Sequence, residues 1–239
     1  MVLLRQELTS KKIQKTKLIY ISVLWTAFFA VLITVLLLYF FAAKPIFSLF
    51  SFIVVWSFLV LVLVFKIKIT VLNLKQKNLR LKETKVSPFL VKKTFFKELQ
   101  GALLLNDFML VTTTLGFDLY LKESAQNRGI ELVCRIKKPN FEFLSPEIDI
   151  EIKKILKFFG QRTVSHIICL IFKKYTEYSN QAETEADNIV TFSNWGVYFT
   201  SINIAYFEKE STLYFLHSKT FWPSNYYKAA TESILNLTK

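Results

Sequence analysis

The chain has 239 residues, a hydrophobic share of 52% and a formal net charge of +13. Only five glycines occur, and they are scattered, which excludes a glycine-rich phosphate loop and the nucleotide chemistry that depends on one. The positive surplus invites a nucleic-acid partner, but its distribution argues against one. Residues 1–17 hold Arg5, Lys11, Lys12, Lys15 and Lys17 against Glu7, and residues 66–97 hold ten Lys or Arg against Glu83. From residue 98 onward there are 15 Lys or Arg and 16 Asp or Glu, a net of −1. The basic excess therefore flanks the apolar segments, where it sets membrane topology and attracts anionic lipid heads at about 1 kcal/mol per residue.

Those segments are Leu18 to Ala43 and Ile46 to Phe65, neither with a charged residue, parted only by Lys44 and Pro45. A bilayer core about 30 Å thick takes roughly 20 apolar residues as helix, so each run is long enough to span. Backbone hydrogen bonds cannot be left open in lipid, which favours helix over the β-preference of the many Val, Ile and Phe residues. No ionisable side chain lies inside either run to mark an ion or proton path. The charge bias predicts an inner or plasma membrane protein with both termini cytoplasmic and Lys11, Lys12, Lys15, Lys17, Lys66 and Lys68 at the membrane flanks. The expected organisation is a basic tail at 1–17, a transmembrane hairpin at 18–65, a basic juxtamembrane segment at 66–86 and a cytoplasmic α/β (α+β) domain at 87–239. Residues 66–86 alternate like a strand in places and fit a helix equally well.

Ser87-Pro88 predicts a helix start, Ser at the N-cap and Pro in the first turn, running to about Leu105. Strands are expected at Phe108–Leu115, Phe117–Lys122 and Ile130–Lys137, with a turn at Ser124–Gly129. Ser145-Pro146-Glu147 starts a second helix with Ile148, Ile152, Ile155, Leu156 and Phe159 on one face. Val164 to Phe172 reads as a strand buried on both faces. A helix near Tyr175–Asp187 carries Glu177, Glu183, Glu185 and Asp187 on its exposed side. Strands follow at Ile189–Phe192, Gly196–Thr200, Asn203–Phe207 and Thr212–Leu216, then a helix from Tyr226 to Leu237.

Cys134 and Cys169 lie in apolar runs, as buried reduced thiols do in a cytoplasmic domain. With His166 and His217 they have none of the usual metal-ligand spacing. The C-terminal third is rich in aromatics at strand spacing. Trp195, Trp222, Tyr226 and Tyr227 are candidate interface residues, with core packing as the alternative.

From Pro88 to Phe172 the order is helix, strand, strand, strand, helix, strand. That order, with Phe95-Phe96-Lys97-Glu98-Leu99 in the first helix and Gly116-Phe117-Asp118-Leu119 on a strand, resembles the restriction-endonuclease-like core of the Mrr-type nucleases, some of which carry N-terminal membrane spans. The resemblance implies Mg²⁺ held by Asp118 and a second carboxylate, with a lysine beside them for the attacking water. Val133-Cys134-Arg135 falls where the family carries Glu/Gln-x-Lys, so Val133 supplies no ligand and Arg135 keeps charge without lysine geometry. Strand alternation places Glu131, Val133, Arg135 and Lys137 on one face, which leaves a shifted site of Asp118, Glu131, Arg135 and Lys137, with Asp118 and Glu131 on the metal.

Two functions follow as expectations. One is a membrane module without cofactor, whose domain binds a protein partner, a second copy or a small ligand as a complex subunit or ligand-responsive effector. The other is a membrane-tethered Mg²⁺-dependent nuclease or an inactive relative that binds nucleic acid.

Overall fold

The computed structural model describes residues 2–41, 45–124, 129–143, 145–159, 164–194 and 197–238. They divide into two compact units, Met1–Glu83 and Thr84–Lys239.

The first unit is a pair of helices, α1 (Val2–Phe41) and α2 (Pro45–Glu83). They lie antiparallel. Tyr20 stacks on Phe65 with ring centroids 5.3 Å apart, Phe28 meets Phe58, and Lys17 Nζ donates to Gln76 Oε1 over 3.0 Å. Both are long and apolar enough to cross a membrane, with windows of mean hydropathy 2.3 and 2.5. Thr26 and Thr34 donate to Ser22 and Ala30 carbonyls of their own helix, so these hydroxyls serve the backbone. The polar start and the basic segment after Phe65 are continuations of these helices, not separate elements. A formed helix extends without a second nucleation cost, and the Lys, Leu, Gln and Arg of residues 66–83 are good helix formers. Arg80 and Lys82 in the last turn of α2 complement its carbonyl end.

The second unit is an eight-stranded mixed sheet with helices on both faces. Its first element corrects the expected helix at Ser87. Phe89–Leu90 is a strand, β1, paired with Leu213 and Thr212. Long-range pairing overrides the capping signal. Val86 N–H donates to His217 O, Val91 N–H donates to Ser211 O, and the residue before proline is in any case biased to extended backbone. Helix α3 starts only at Phe95 and runs to Leu105.

A meander follows: β2 (Met109–Thr113), β3 (Phe117–Ser124) and β4 (Gly129–Ile136), all antiparallel. Helix α4 (Pro146–Phe159) then carries the chain to β5 (His166–Tyr175), parallel to β4. Ser145 Oγ accepts from Ile148 N–H, the cap its sequence predicts. The short α5 (Asn180–Ala186) leads to β6 (Ile189–Asn194) and β7 (Val197–Phe207). β7 is one strand where the sequence suggests two. It is parallel to β5, and on its other side pairs first with β6 and then with β8 (Thr212–Tyr214). The sheet order is β1-β8-β7-β5-β4-β3-β2, with β6 beside β7. Helix α6 (Asn225–Leu237) closes the chain, its N-cap Ser224 accepting from Tyr227 N–H.

Alternation along the strands sorts two cores. Leu119, Cys134, Cys169, Ile171 and Phe199 pack with Ile148, Ile152 and Ile155 of α4. The opposite face carries Tyr120, Val133, Leu170, Phe172 and Tyr206, with the Phe95 ring 6.2 Å from that of Phe172 and the Phe96 ring 5.9 Å from that of Tyr206. The expected turn at 125–128 and the side chains of Leu156 and Phe159 lie outside the described residues.

Candidate functional site

Register decides which of the candidate residues meet. Asp118 of β3 stands directly opposite Arg135 of β4, on the face that carries α3. Lys137, one residue past β4, is drawn to the same place because its N–H donates to Gly116 O. Its Nζ lies 2.9 Å from Asp118 Oδ1, and Arg135 Nη1 lies 3.7 Å from Asp118 Oδ2. Thr113 of β2 donates its hydroxyl to the same carboxylate. The Arg135 guanidinium also lies over the Phe96 ring, 5.2 Å from its centre. Asp118 is buried, so this is one carboxylate held by two cations and a hydroxyl in a largely dehydrated setting.

Glu131 is not part of the cluster. It pairs with Lys122, and its carboxylate accepts from Ser233 of α6 over 3.0 Å. Three residues of strand separate it from Arg135, about 13 Å along β4. The position between them, opposite Tyr120, is the buried Val133. The shifted metal site of Asp118 and Glu131 is therefore not assembled. Asp118 is engaged by Lys137 and Arg135 instead. Glu98, the acidic residue of the first helix, is exposed in α3. Tyr120 sits beneath the cluster, fully buried, its phenol held above the usual tyrosine range by burial and by the Asp118 charge, against the opposing pull of Arg135.

His166 and Cys169 belong to opposite faces of β5, so the H-x-x-C spacing does not converge. Burial lowers His166 from its ordinary value and pushes Cys169 up to about 12. The Nε2–Cε1 edge of the imidazole closes on Gly129, where an added Cβ would come within 2.2 Å of Nε2, and the ring stacks on Tyr226 at 4.7 Å. Tyr226 is thus half-buried between His166 and Tyr198, whose ring is 5.2 Å away. Tyr227 is not an interface residue. It is buried, and its hydroxyl donates to Leu216 O. The rim position at the start of α6 belongs to Tyr226, one residue earlier. Trp222 is half-buried, and Trp195 lies outside the described residues. Of the basic flanks, Lys12, Lys15, Lys66 and Lys68 are exposed, Lys17 bonds Gln76, and Lys68 approaches the Tyr20 ring.

A second polar constellation carries no sequence motif. Three carboxylates of the α5 region point inward instead of outward. Glu183 meets Lys85 and Tyr178, Asp187 meets Tyr214 and lies 3.7 Å from Lys85, and Tyr175 donates to Glu185 over 2.6 Å. Lys173, buried, reaches Glu185 at 3.4 Å with the Tyr175 ring 4.7 Å from its ammonium. Burial works to raise Glu183 and Glu185, yet their bonds to Lys85, Tyr178, Tyr175 and Gln181 leave both below the ordinary carboxylate value. Of the four acidic residues assigned to a solvated side, only Glu177, paired with Lys209, is there. No family model matches the chain, and no curated protein matches it.

Proposed function

We propose that this is a two-pass membrane protein whose C-terminal domain lies in the cytoplasm and binds a protein partner or small ligand, as a subunit of a membrane complex or a ligand-responsive effector. The observation that carries the reading is the outward apolar surface of α1 and α2. Trp25, Phe29, Leu32, Ile33, Phe52 and Ile53 are all exposed on the pair, and the apolar windows are 0% buried. Water penalises that surface at about 25 cal/mol per Å², whereas hydrocarbon does not. The basic flanks favour cytoplasmic termini. The chain passes from α2, ending at Glu83, to Lys85, which forms an isolated bridge with Ser218 of the domain, and no Gly/Ser-rich linker lies between them in the sequence. Such a junction favours transmission of a binding event over simple tethering.

A second reading, a membrane-tethered nuclease or its inactive nucleic-acid-binding descendant, is favoured by the strand order. The meander β2-β3-β4 with an α4 crossover to parallel β5 is the order on which the resemblance rests. Against catalysis stand Val133 and the pairing of Asp118 with two cations.

Full-length protein expressed in cells tests both. The first reading expects it to stay in alkaline-washed membranes, with Ser10→Cys and Ser87→Cys labelled only from the cytoplasmic side and Ala43→Cys only from outside, and to bring a partner or second copy through mild detergent. Release by the wash, or the opposite labelling, ends that reading. Mg²⁺-dependent DNA cleavage at low salt that disappears in Asp118→Ala would replace it with the second.

A further inference from the structure

The outer surface of α2 carries one stripe whose spacing is stricter than burial in a membrane requires. Ile53, Ser57, Val60, Val64, Ile67 and Val71 follow one another at intervals of four, three, four, three and four residues. That is the 3.5-residue repeat of a left-handed coiled coil. All six are exposed, five of them β-branched and the sixth a serine. Phe58, Phe65 and Gln76, which meet α1, lie about 130° away around the helix. Lipid tails cover the part of the stripe inside the bilayer, so that part alone selects no partner. The water-side end does. Val71 stands about 9 Å beyond Phe65, past Lys66 and Lys68. Between Lys66 and Glu83 the exposed large apolar side chains are Ile67, by 64%, and Val71, by 55%, and both belong to the stripe. Ile69, Leu72, Leu74 and Leu79 of the same segment are half-buried, and Leu81 is buried.

We propose that this stripe is the interface with a second copy of the chain, α2 packed parallel against α2 from Ile53 to Val71, a seam about 27 Å long that continues out of the membrane. Three features select a second copy. Copies inserted under the same charge bias run parallel and set each residue at its own depth, which is the register a shared heptad needs. Ser57, inside the span, then meets its own mate. A hydroxyl both donates and accepts, so the pair is self-complementary where lipid offers no partner. Lys68, the cation beside the stripe, falls opposite Leu63 of the other copy under heptad pairing, so no like charges are brought together along the seam. The inference rests on the membrane reading and names the partner which that reading leaves open. Confinement to a bilayer raises the effective concentration of copies, so a single helical seam suffices.

The test uses the full-length chain in membranes, where the native Cys134 and Cys169 are buried. A membrane-permeant oxidant should cross-link Val60→Cys, Val64→Cys, Ile67→Cys and Val71→Cys each to itself. Val55→Cys, Leu59→Cys and Lys66→Cys, equally exposed but off the stripe, should stay monomeric. Val71→Glu sets like charges against each other outside the bilayer, so it should cut co-purification of two differently tagged copies by about tenfold or more without disturbing insertion. Thr70→Glu, one residue off the stripe, should not. Co-expressing Val71→Glu with Val71→Lys should restore the pair, which a folding defect would not allow. Equal cross-linking on and off the stripe, or self-association untouched by Val71→Glu, overturns the interface. So does a cross-link from the stripe to a different protein in place of a second copy. Retention in washed membranes is scored on the same samples. Release by the wash defeats the membrane reading, whereas retention without the cross-linking pattern defeats this inference alone.

Discussion

Asp118 is the polar side chain of the candidate cluster on which a clear single-residue effect is expected. It is buried, and it is the counter-charge for both Arg135 and Lys137. Removing it leaves Arg135, whose side chain is only 17% exposed, without its nearest counter-charge, whereas the ammonium of Lys137 still reaches water. Breaking a buried pair costs more than the pair contributes, because the remaining charge keeps its desolvation penalty. Asp118→Ala should therefore lower unfolding free energy by about 2 kcal/mol, measured by denaturant titration in detergent. The double change Asp118→Ala with Arg135→Met should recover part of that loss, since it removes one stranded charge. Additive effects would mean the two residues do not interact. That Arg135 and Lys137 share a face was readable from strand alternation, which sorts the residues of one strand without a structure. The exclusion of Glu131 was not, because register along the strand depends on where the β3–β4 pairing begins.

At the scale of elements, the end of α3 shows a local rule at work through an unusual residue. Asn106 caps the helix, Asp107 adopts φ 63°, Phe108 N–H donates to Leu103 O, and Asp107 N–H donates to Leu104 O. This is the paired closure that usually places glycine at the left-handed position. An L-residue there costs about 1–2 kcal/mol, and glycine avoids the cost but gains freedom in the unfolded chain. Asp107→Gly should thus stabilise by about 0.5–1 kcal/mol, seen as a higher denaturant midpoint at unchanged slope; a lower midpoint would show that Asp107 makes a stabilising contact of its own. Elements governed by such local rules were legible: Ser145 caps the helix its sequence announces. Elements governed by distant partners were not. The Ser87-Pro88 signal was overridden by pairing with residues more than a hundred positions away, and β7 continues through Ser201 because β5 and β6 flank it there. The inward carboxylates of the α5 region were hidden for the same reason: Asp187 meets Tyr214 of β8, and Glu183 meets Lys85, 98 residues away.

For the whole molecule, composition revealed the two long apolar helices, because two uncharged runs of spanning length need no knowledge of contacts. The net charge of +13 says little about the domain, which is close to neutral, so its pH response is set by a few buried groups. His166 and His217 are both lowered from 6.5 by burial. As pH falls below about 6.5 the unfolded chain takes up their protons before the folded one does, so the stability of the neutral rings is full above that pH and drains away below it. Glu183 and Glu185, held below 4.5 by Lys85, Lys173 and the tyrosine bonds that outweigh burial, add a second loss as pH falls through their folded values. On the alkaline side Tyr175 and Tyr214 are raised above 10.0 by burial and by their carboxylate partners, so the folded state keeps protons the unfolded state releases, and stability falls as pH rises past about 10. Thermal midpoints of the detergent-solubilised chain should form a plateau from about pH 7 to 9, with a two-stage acid limb and a single alkaline one. Lys85→Met should flatten the lower acid stage, because Glu183 loses the cation that holds it down, and should leave the stage near pH 6.5 in place. An acid limb unchanged by Lys85→Met would assign it to other carboxylates and remove Lys85 from the set of residues that hold the domain together.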